Sequence, residues 1–201
     1  MQEKVNLVLD IAGVIATNYS PIFWKNLSTQ FNVPHDKLLE FKKEFRHDLW
    51  TGKIGEGRYW YLLTKRFPTI DIEYARNSLL SMIKPLPALD HIPRWSIYAT
   101  IHLVSNHRRE WLNHIIEPIQ NHINSITISS EVGFSKPNNE IFVRVANQIS
   151  QGARILFIDD QEKNLNAAKI LGWSTILADK NGEWIRETEN LLVSSFKRMP
   201  R

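Results

Sequence analysis

The sequence predicts an α/β protein: a parallel β-sheet with helices on both faces, and an all-helical segment inserted after the first strand. Three observations carry this. Short apolar runs alternate with helix-periodic segments through the second half of the chain. The stretch between the first apolar run and Pro85 shows helical spacing throughout. Small polar or acidic residues stand at the ends of three separate apolar runs: Asp10, Ser105-Asn106 and Asp159-Asp160.

Taken in order, residues 5–9 form an apolar run broken only by Asn6. It ends in Asp10, with Gly13 close behind, as a buried parallel strand does. From about Pro21 to Lys84 the segments IFWKNLSTQF, DKLLEFKKEF, GRYWYLLTKRF and EYARNSLLSMI each place apolar residues at helical intervals. Turn and capping signals separate them, so about four helices are expected. After Pro85-Leu86-Pro87 strands are expected at 99–104, 125–129, 154–158 and 174–177. Helices are expected at 108–120, 138–149, 162–171 and 183–196. Strand–helix alternation of this kind implies right-handed crossovers. The domain division that follows is a core of residues 1–15 and 86–201 and a helical cap of residues 16–85.

Composition narrows the function classes. The chain has 201 residues, enough for one domain with an insertion, and 43% of them are apolar. Its net charge of +4 is spread along the sequence without a dense basic run, which argues against a nucleic-acid partner. With no cysteine, disulfides, thiolate catalysis and zinc–thiolate sites are excluded. The seven histidines show no metal-ligating spacing, and the seven tryptophans are expected to pack core and cap. No apolar run is long enough to span a bilayer and no secretory segment precedes the first strand. The expected location is therefore cytoplasmic, with no membrane partner, and the expected state is monomer or homodimer.

In an open parallel sheet, ligands bind beyond the carboxyl ends of the strands. Asp10, Asp159 and Asp160 would share that rim, and like charges brought together need a compensating cation. Magnesium, a hard cation bound by carboxylates, water and substrate phosphate, suits them; the alternative is that each acid caps the helix behind it. Ser105 and Asn106 can donate to phosphate oxygens, or can serve as a turn and N-cap pair. Lys136 stands before Pro137, which places it in a loop. There it either faces the rim and holds a phosphate or is an exposed surface lysine.

Four segments in order resemble the motifs of the haloacid dehalogenase (HAD) superfamily of hydrolases: LVLDIAGVI, IHLVSN, GFSKPNNEIF and ILFIDDQEKNLNAAKILG. The resemblance covers the whole core, and the helical insertion is similar to the superfamily's cap. TGKIGEGRYW looks like a cap segment of the subgroup of sugar-phosphate phosphatases and related enzymes. The resemblance implies a Rossmann-like core and a magnesium-dependent phosphatase acting on a small phosphorylated substrate, such as a sugar phosphate. It implies Asp10 as the nucleophile that becomes an aspartyl-phosphate. Asp160 and the carbonyl of Ala12 would be magnesium ligands, with Asp159 a ligand or its partner. Ser105, Asn106 and Lys136 would bind the phosphoryl group.

One position departs from that pattern. The phosphatases it resembles carry a second Asp two residues after the nucleophile, as general acid and base; here that residue is Ala12. The substrate's leaving group can be good enough to need no acid, or His107, Glu56 or His47 can take the role. Lys53 in the cap can form a Schiff base, as in the phosphonate-cleaving branch that has Ala here. The chain can also be a weak or inactive member that binds a ligand or partner protein. Carbon–halogen cleavage, which needs no magnesium, ranks below these because Asp159-Asp160 keeps the acidic metal pattern. Trp24, Trp50, Trp60 and Tyr61 can line a cap pocket or fill the core.

Overall fold

In the computed structural model, which describes residues 4–20 and 22–197, five strands form one parallel sheet. They are β1 (Val5–Asp10), β2 (Ala99–Ser105), β3 (Ile123–Ile128), β4 (Ile155–Asp159) and β5 (Ser174–Leu177), in the spatial order β3-β2-β1-β4-β5. All six residues of β1 are buried, as a central strand covered on both faces requires. The chain order reverses at β1, whose neighbours are β2 on one side and β4 on the other. A crevice at such a reversal is where open α/β sheets bind ligands. Asp10 and Asp159 end the two strands that flank it.

Helices cover both faces. On one side Leu7, Leu9, Ile101, Leu103 and Ile158 pack against α5 (Ile92–Tyr98), α6 (Arg109–Ile116) and α10 (Glu183–Lys197). On the other, Val8, Val104 and Phe157 pack against α8 (Asn139–Ala146) and α9 (Glu162–Ile170). Successive residues of β1 fall in the two different clusters, which is the period-two alternation of a strand buried on both faces.

Between β1 and β2 lie α1 (Ile22–Phe31), α2 (His35–Trp50), α3 (Glu56–Arg66) and α4 (Ile72–Met82). The chain enters and leaves this insertion side by side. The Leu86 N–H donates to the Ile15 carbonyl at 3.0 Å and the Thr17 N–H to the Lys84 carbonyl at 2.8 Å. Ala16 and Pro85 form an antiparallel bridge. We propose the core–cap boundaries at 15/16 and 85/86 on this stitching. Met1, Gln2, Glu3 and Pro21, which the sequence reading places before β1 and at the start of the helical block, lie outside the described residues, as do residues 198–201.

A charged group also ties cap to core. One oxygen of Glu56, at the start of α3, accepts from Trp60 Nε1 at 3.1 Å, Arg76 Nε at 2.9 Å and Trp111 Nε1 at 2.8 Å. Trp111 belongs to α6 of the core and is fully buried. Burial alone would raise the Glu56 carboxyl. The three hydrogen bonds, with the charge of Arg76, hold it below its usual range instead.

The structure departs from the expected elements where prolines and short helices intervene. The helix expected over 108–120 ends at Ile116, and residues Glu117–His122 form a 3₁₀ turn with Pro118 in its first turn. Strand β3 accordingly begins at Ile123. Helix α2 runs five residues beyond its expected end. The 3₁₀ turn Pro87–His91 with α5, and the single-turn α7 (Ser129–Val132), had no counterpart in the reading. Pro93 in the first turn of α5 and buried Ile92 and Trp95 are the signals for that helix. No helix among the described residues is long and apolar enough to cross a membrane.

Glu56→Ala should destabilise the fold by about 1–3 kcal/mol, because it leaves two indole N–H groups without their acceptor. A carboxyl held below its usual range stabilises the folded state above its unfolded pKa and loses that contribution as pH falls. Glu56→Gln should therefore flatten the acid side of the stability profile. Denaturation midpoints measured from pH 7 down to about 2 check both; superimposable wild-type and variant profiles would be the contrary result.

Candidate active site

The end of β1, the loop before α8 and the end of β4 bring three groups into direct contact. Lys136 Nζ lies 2.8 Å from Asp10 Oδ1 and 2.6 Å from Asp159 Oδ2. All three residues are buried, with Asp159 and the Lys136 ammonium withdrawn almost completely from solvent. Asp160, the next residue, is half-buried. One carboxylate oxygen each from Asp10, Asp159 and Asp160 lies within 4.8 Å of the others.

Each member is held from the backbone outward. The Ile11 N–H donates to Asp10 Oδ1 at 2.6 Å, and no described group donates to Oδ2. Asp159 is saturated: Oδ1 accepts from the Gln161 N–H at 2.8 Å and from Asn164 Nδ2 at 2.9 Å, while Oδ2 takes Lys136. It therefore caps the start of α9 and holds the lysine at once. Asp160 receives one long hydrogen bond, from Gln161 Nε2 at 3.3 Å. Asn106 spends its side chain on the lysine's own backbone, donating from Nδ2 to the Lys136 carbonyl at 2.8 Å and accepting the Lys136 N–H at 2.7 Å.

Crowding and burial set the protonation. Burial pushes the Asp10 carboxyl up, to about 8. Lys136 pulls against this, and Asp159 and Asp160 add to it. Asp160 is also raised, by burial and then by the charge of Asp159. Burial alone would lower the Lys136 ammonium, but the charges of Asp10 and Asp159 raise it. With all three carboxylates ionised, the one ammonium would leave a deficit of two positive charges among hard oxygen donors. That donor set fits a divalent cation such as magnesium.

Asp10, Ala12, Asp160 and Lys136 form the floor of a cavity of about 400 Å³. Gln161, Lys163 and Asn164 of the loop and α9 extend that floor, and Tyr19, Trp24, Lys42, Arg46, Trp50 and Tyr59 form the cap side. Gly13 makes the close approach possible: its φ is +96°, and a Cβ there would overlap the Asp160 carboxylate.

The residues singled out in the sequence separate into two sets. Asp10, Ala12, Asn106, Lys136 and Asp160 line one cavity with His107, Trp24 and Trp50. Asp159 sits behind them. Ser105 is fully buried and does not line the cavity, and its hydroxyl has no partner among the described residues. Glu56, His47, Lys53, Trp60 and Tyr61 do not line it either. Glu56 is consumed by the tryptophan hydrogen bonds, and Lys53 is exposed and 3.6 Å from Asp48. His102 bonds Ser125 and Asn6 within the sheet, and His114 bonds the Ile83 carbonyl.

Lys42 and Arg46 carry no sequence signal as site residues, and the apolar spacing marks α2 only as far as Phe45, short of Arg46. In a helix that continues to Trp50, residues 42, 46, 49 and 50 share one face. Tyr19 and Ser20 carry none either, because no periodicity marks a loop. Asn164 and Gln161 carried a signal, since an acidic pair that opens a helix needs partners within the first turn.

No protein-family model and no curated protein sequence matches the chain. Solved structures do. A predicted HAD-like family hydrolase from Porphyromonas gingivalis superposes with a TM-score of 0.79 at 23% identity, over 94% of this chain and 98% of that one. A HAD family enzyme from Bacteroides thetaiotaomicron, in complex with magnesium and inorganic phosphate, superposes at 0.73 with 20% identity, over 87% and 93%. The L-2-haloacid dehalogenase from Xanthobacter autotrophicus superposes at 0.58 with 14% identity, over 87% and 76%. Sheet order, helical insertion and the acids at the strand ends thus converge on one architecture, and the chain has the fold of the HAD-like hydrolases.

Proposed function

We propose that the protein is a magnesium-dependent hydrolase that cleaves a small phosphorylated metabolite through an aspartyl-phosphate on Asp10. The observation that carries this is the floor of the cavity. There a carboxyl group with one uncommitted oxygen is held by a buried lysine, in a cluster of three acids that one ammonium cannot neutralise once all are ionised. The magnesium and phosphate bound by the Bacteroides thetaiotaomicron enzyme of the same fold support the reading.

Asp10 Oδ2 attacks phosphorus, the bond from phosphorus to the substrate's bridging oxygen breaks, and the leaving oxygen departs. Water then attacks phosphorus, breaking its bond to Oδ2, so that phosphate leaves and Asp10 is restored. Lys136 counters the charge on the phosphoryl oxygens as they crowd against Asp10. We assign Asp10, Asp160 and the Ala12 carbonyl as magnesium ligands. Asp159, with both oxygens spent, positions Lys136 and the start of α9. When bound, magnesium would neutralise the acids and polarise the phosphoryl group. Asn106 positions Lys136 through its backbone, and Ser105, fully buried outside the cavity lining, is given no contact with the phosphoryl group.

Ala12 gives the site no carboxyl for proton transfer. His107 lines the cavity with an unpartnered Nδ1, but burial, and then Lys136, lower its pKa to about 4. A neutral imidazole has no spare proton for a leaving alcohol. A substrate whose leaving group departs without an acid, such as an anomeric or acyl phosphate, fits this floor. The exposed Lys53, outside the cavity lining, does not favour an imine mechanism, and carbon–halogen cleavage would leave the magnesium-fitting acids without a task.

Phosphate release from a panel of phosphorylated metabolites should require magnesium and should fall by about 10³-fold or more in Asp10→Asn. Release that persists undiminished in that variant would remove Asp10 from the mechanism, and Lys53→Arg should leave the rate unchanged. Because metal ligation needs Asp10 ionised and its carboxyl sits near 8, magnesium affinity should rise with pH through about 7–8, with protons released on binding. Calorimetry in buffers of different ionisation enthalpy measures this; affinity flat with pH would contradict it. Gly13→Ala should weaken magnesium binding and cost about 1–3 kcal/mol of stability, since it forces a left-handed alanine against Asp160. Ala12→Asp should raise turnover of poor-leaving-group substrates by about 10²-fold.

A further inference from the structure

The cap side of the cavity carries charge that the phosphoryl chemistry does not use. Lys42 and Arg46 stand one turn apart on α2 and both line the cavity. Lys42 is half-buried, and its ammonium donates to Ser20 Oγ at 2.6 Å. Arg46 lies over the Trp50 ring, 5.1 Å from its centroid. Among the described residues neither cation has a carboxylate partner, although Lys53, Arg66 and Arg76 of the same cap are paired. Burial, and then the charge of Arg46, lower the pKa of Lys42. A half-buried ammonium beside a second cation, with a neutral hydroxyl as its acceptor, lacks a counter-charge.

A second observation concerns the lining of the same cavity. Trp24 lines this cavity, is 1% exposed, and its indole N–H has no hydrogen-bond partner among the described residues. Buried donors are ordinarily satisfied, so an acceptor from a ligand would complete it. On the proposed chemistry the phosphoryl group is held by Asp10 and Lys136 of the core, not by these cap residues.

Resting on the hydrolase reading above, we propose that Lys42 and Arg46 bind a second anionic group of the substrate. The substrate class is then a small phosphorylated metabolite that bears a carboxylate or a second phosphoryl group away from the scissile bond. A phosphorylated sugar with no other charge would leave both cations unpaired. Arg46 offers a planar fork matched to either oxyanion, and Lys42 offers a point charge beside it.

The test is calorimetric binding to Asp10→Asn protein with magnesium, using glucose 1-phosphate, 3-phosphoglycerate and fructose 1,6-bisphosphate as probes. Metal-free wild type substitutes if the Asp10→Asn chain does not fold. At least one doubly anionic probe should bind about tenfold or more tightly than glucose 1-phosphate. Lys42→Gln/Arg46→Gln should erase that preference and leave glucose 1-phosphate affinity within about twofold. Preference for 3-phosphoglycerate identifies a carboxylate as the second anion, and preference for the bisphosphate a phosphoryl group. Equal or tighter binding of glucose 1-phosphate, uniform weakening of all three by the double variant, or no binding of either doubly anionic probe at millimolar concentration overturns the proposal. Phosphate release by wild type is read separately. If charge-selective binding persists without release, the hydrolase reading fails and the second-anion site stands.

Discussion

The buried ammonium of Lys136 is the interaction on which the site depends. It sits between Asp10 and Asp159, which end neighbouring strands, and so ties β1 and β4 to the loop before α8. An ion group this deep adds little net stability, because desolvation offsets most of the Coulomb attraction. Its consequence is positional. With Asp159 fixed by the first turn of α9 and Asn106 gripping the lysine backbone, Asp10 keeps one oxygen committed and one available. The same arrangement leaves uncompensated negative charge on the floor, which makes a divalent cation part of the proposed chemistry.

The cap answers that floor with the opposite charge. Aromatic side chains of the cap close the cavity, and Lys42 and Arg46 supply unpaired positive charge on its far side. Glu56 fastens this roof to α6 through the tryptophan hydrogen bonds, so the group that the sequence offered as a proton donor serves as a bracket. In the proposed chemistry floor and roof each hold one anionic group of the substrate, and Ala12 supplies no acid to the leaving group.

The core was legible because its signals are local. An apolar run ending in a small polar or acidic residue marks a parallel strand and its rim together, and Asp10, Ser105-Asn106 and Asp159-Asp160 marked three of them. Lys136 was legible through Pro137, which excludes helix at the preceding residue. The division of labour among these groups was not legible. Asp159 and Asp160 are adjacent in sequence, yet one is saturated by α9 and the other faces the cavity, a difference that only the strand-to-helix turn creates. The roof was legible in part: Trp24 and Trp50 line the cavity as their residue type suggested, whereas Lys42 and Arg46 carried no signal beyond helical spacing. Glu56, His47 and Lys53 were plausible by residue type alone, and tertiary placement moved each of them out of the cavity.

The central claim is that Asp10 becomes covalently phosphorylated. The most direct measurement is mass spectrometry of the protein quenched in acid during turnover with magnesium and a phosphorylated substrate. A phosphoryl adduct is expected on the peptide containing Asp10, removed by hydroxylamine and missing from Asp10→Asn. Phosphate release with no adduct on that peptide, or with the adduct on another residue, would contradict it.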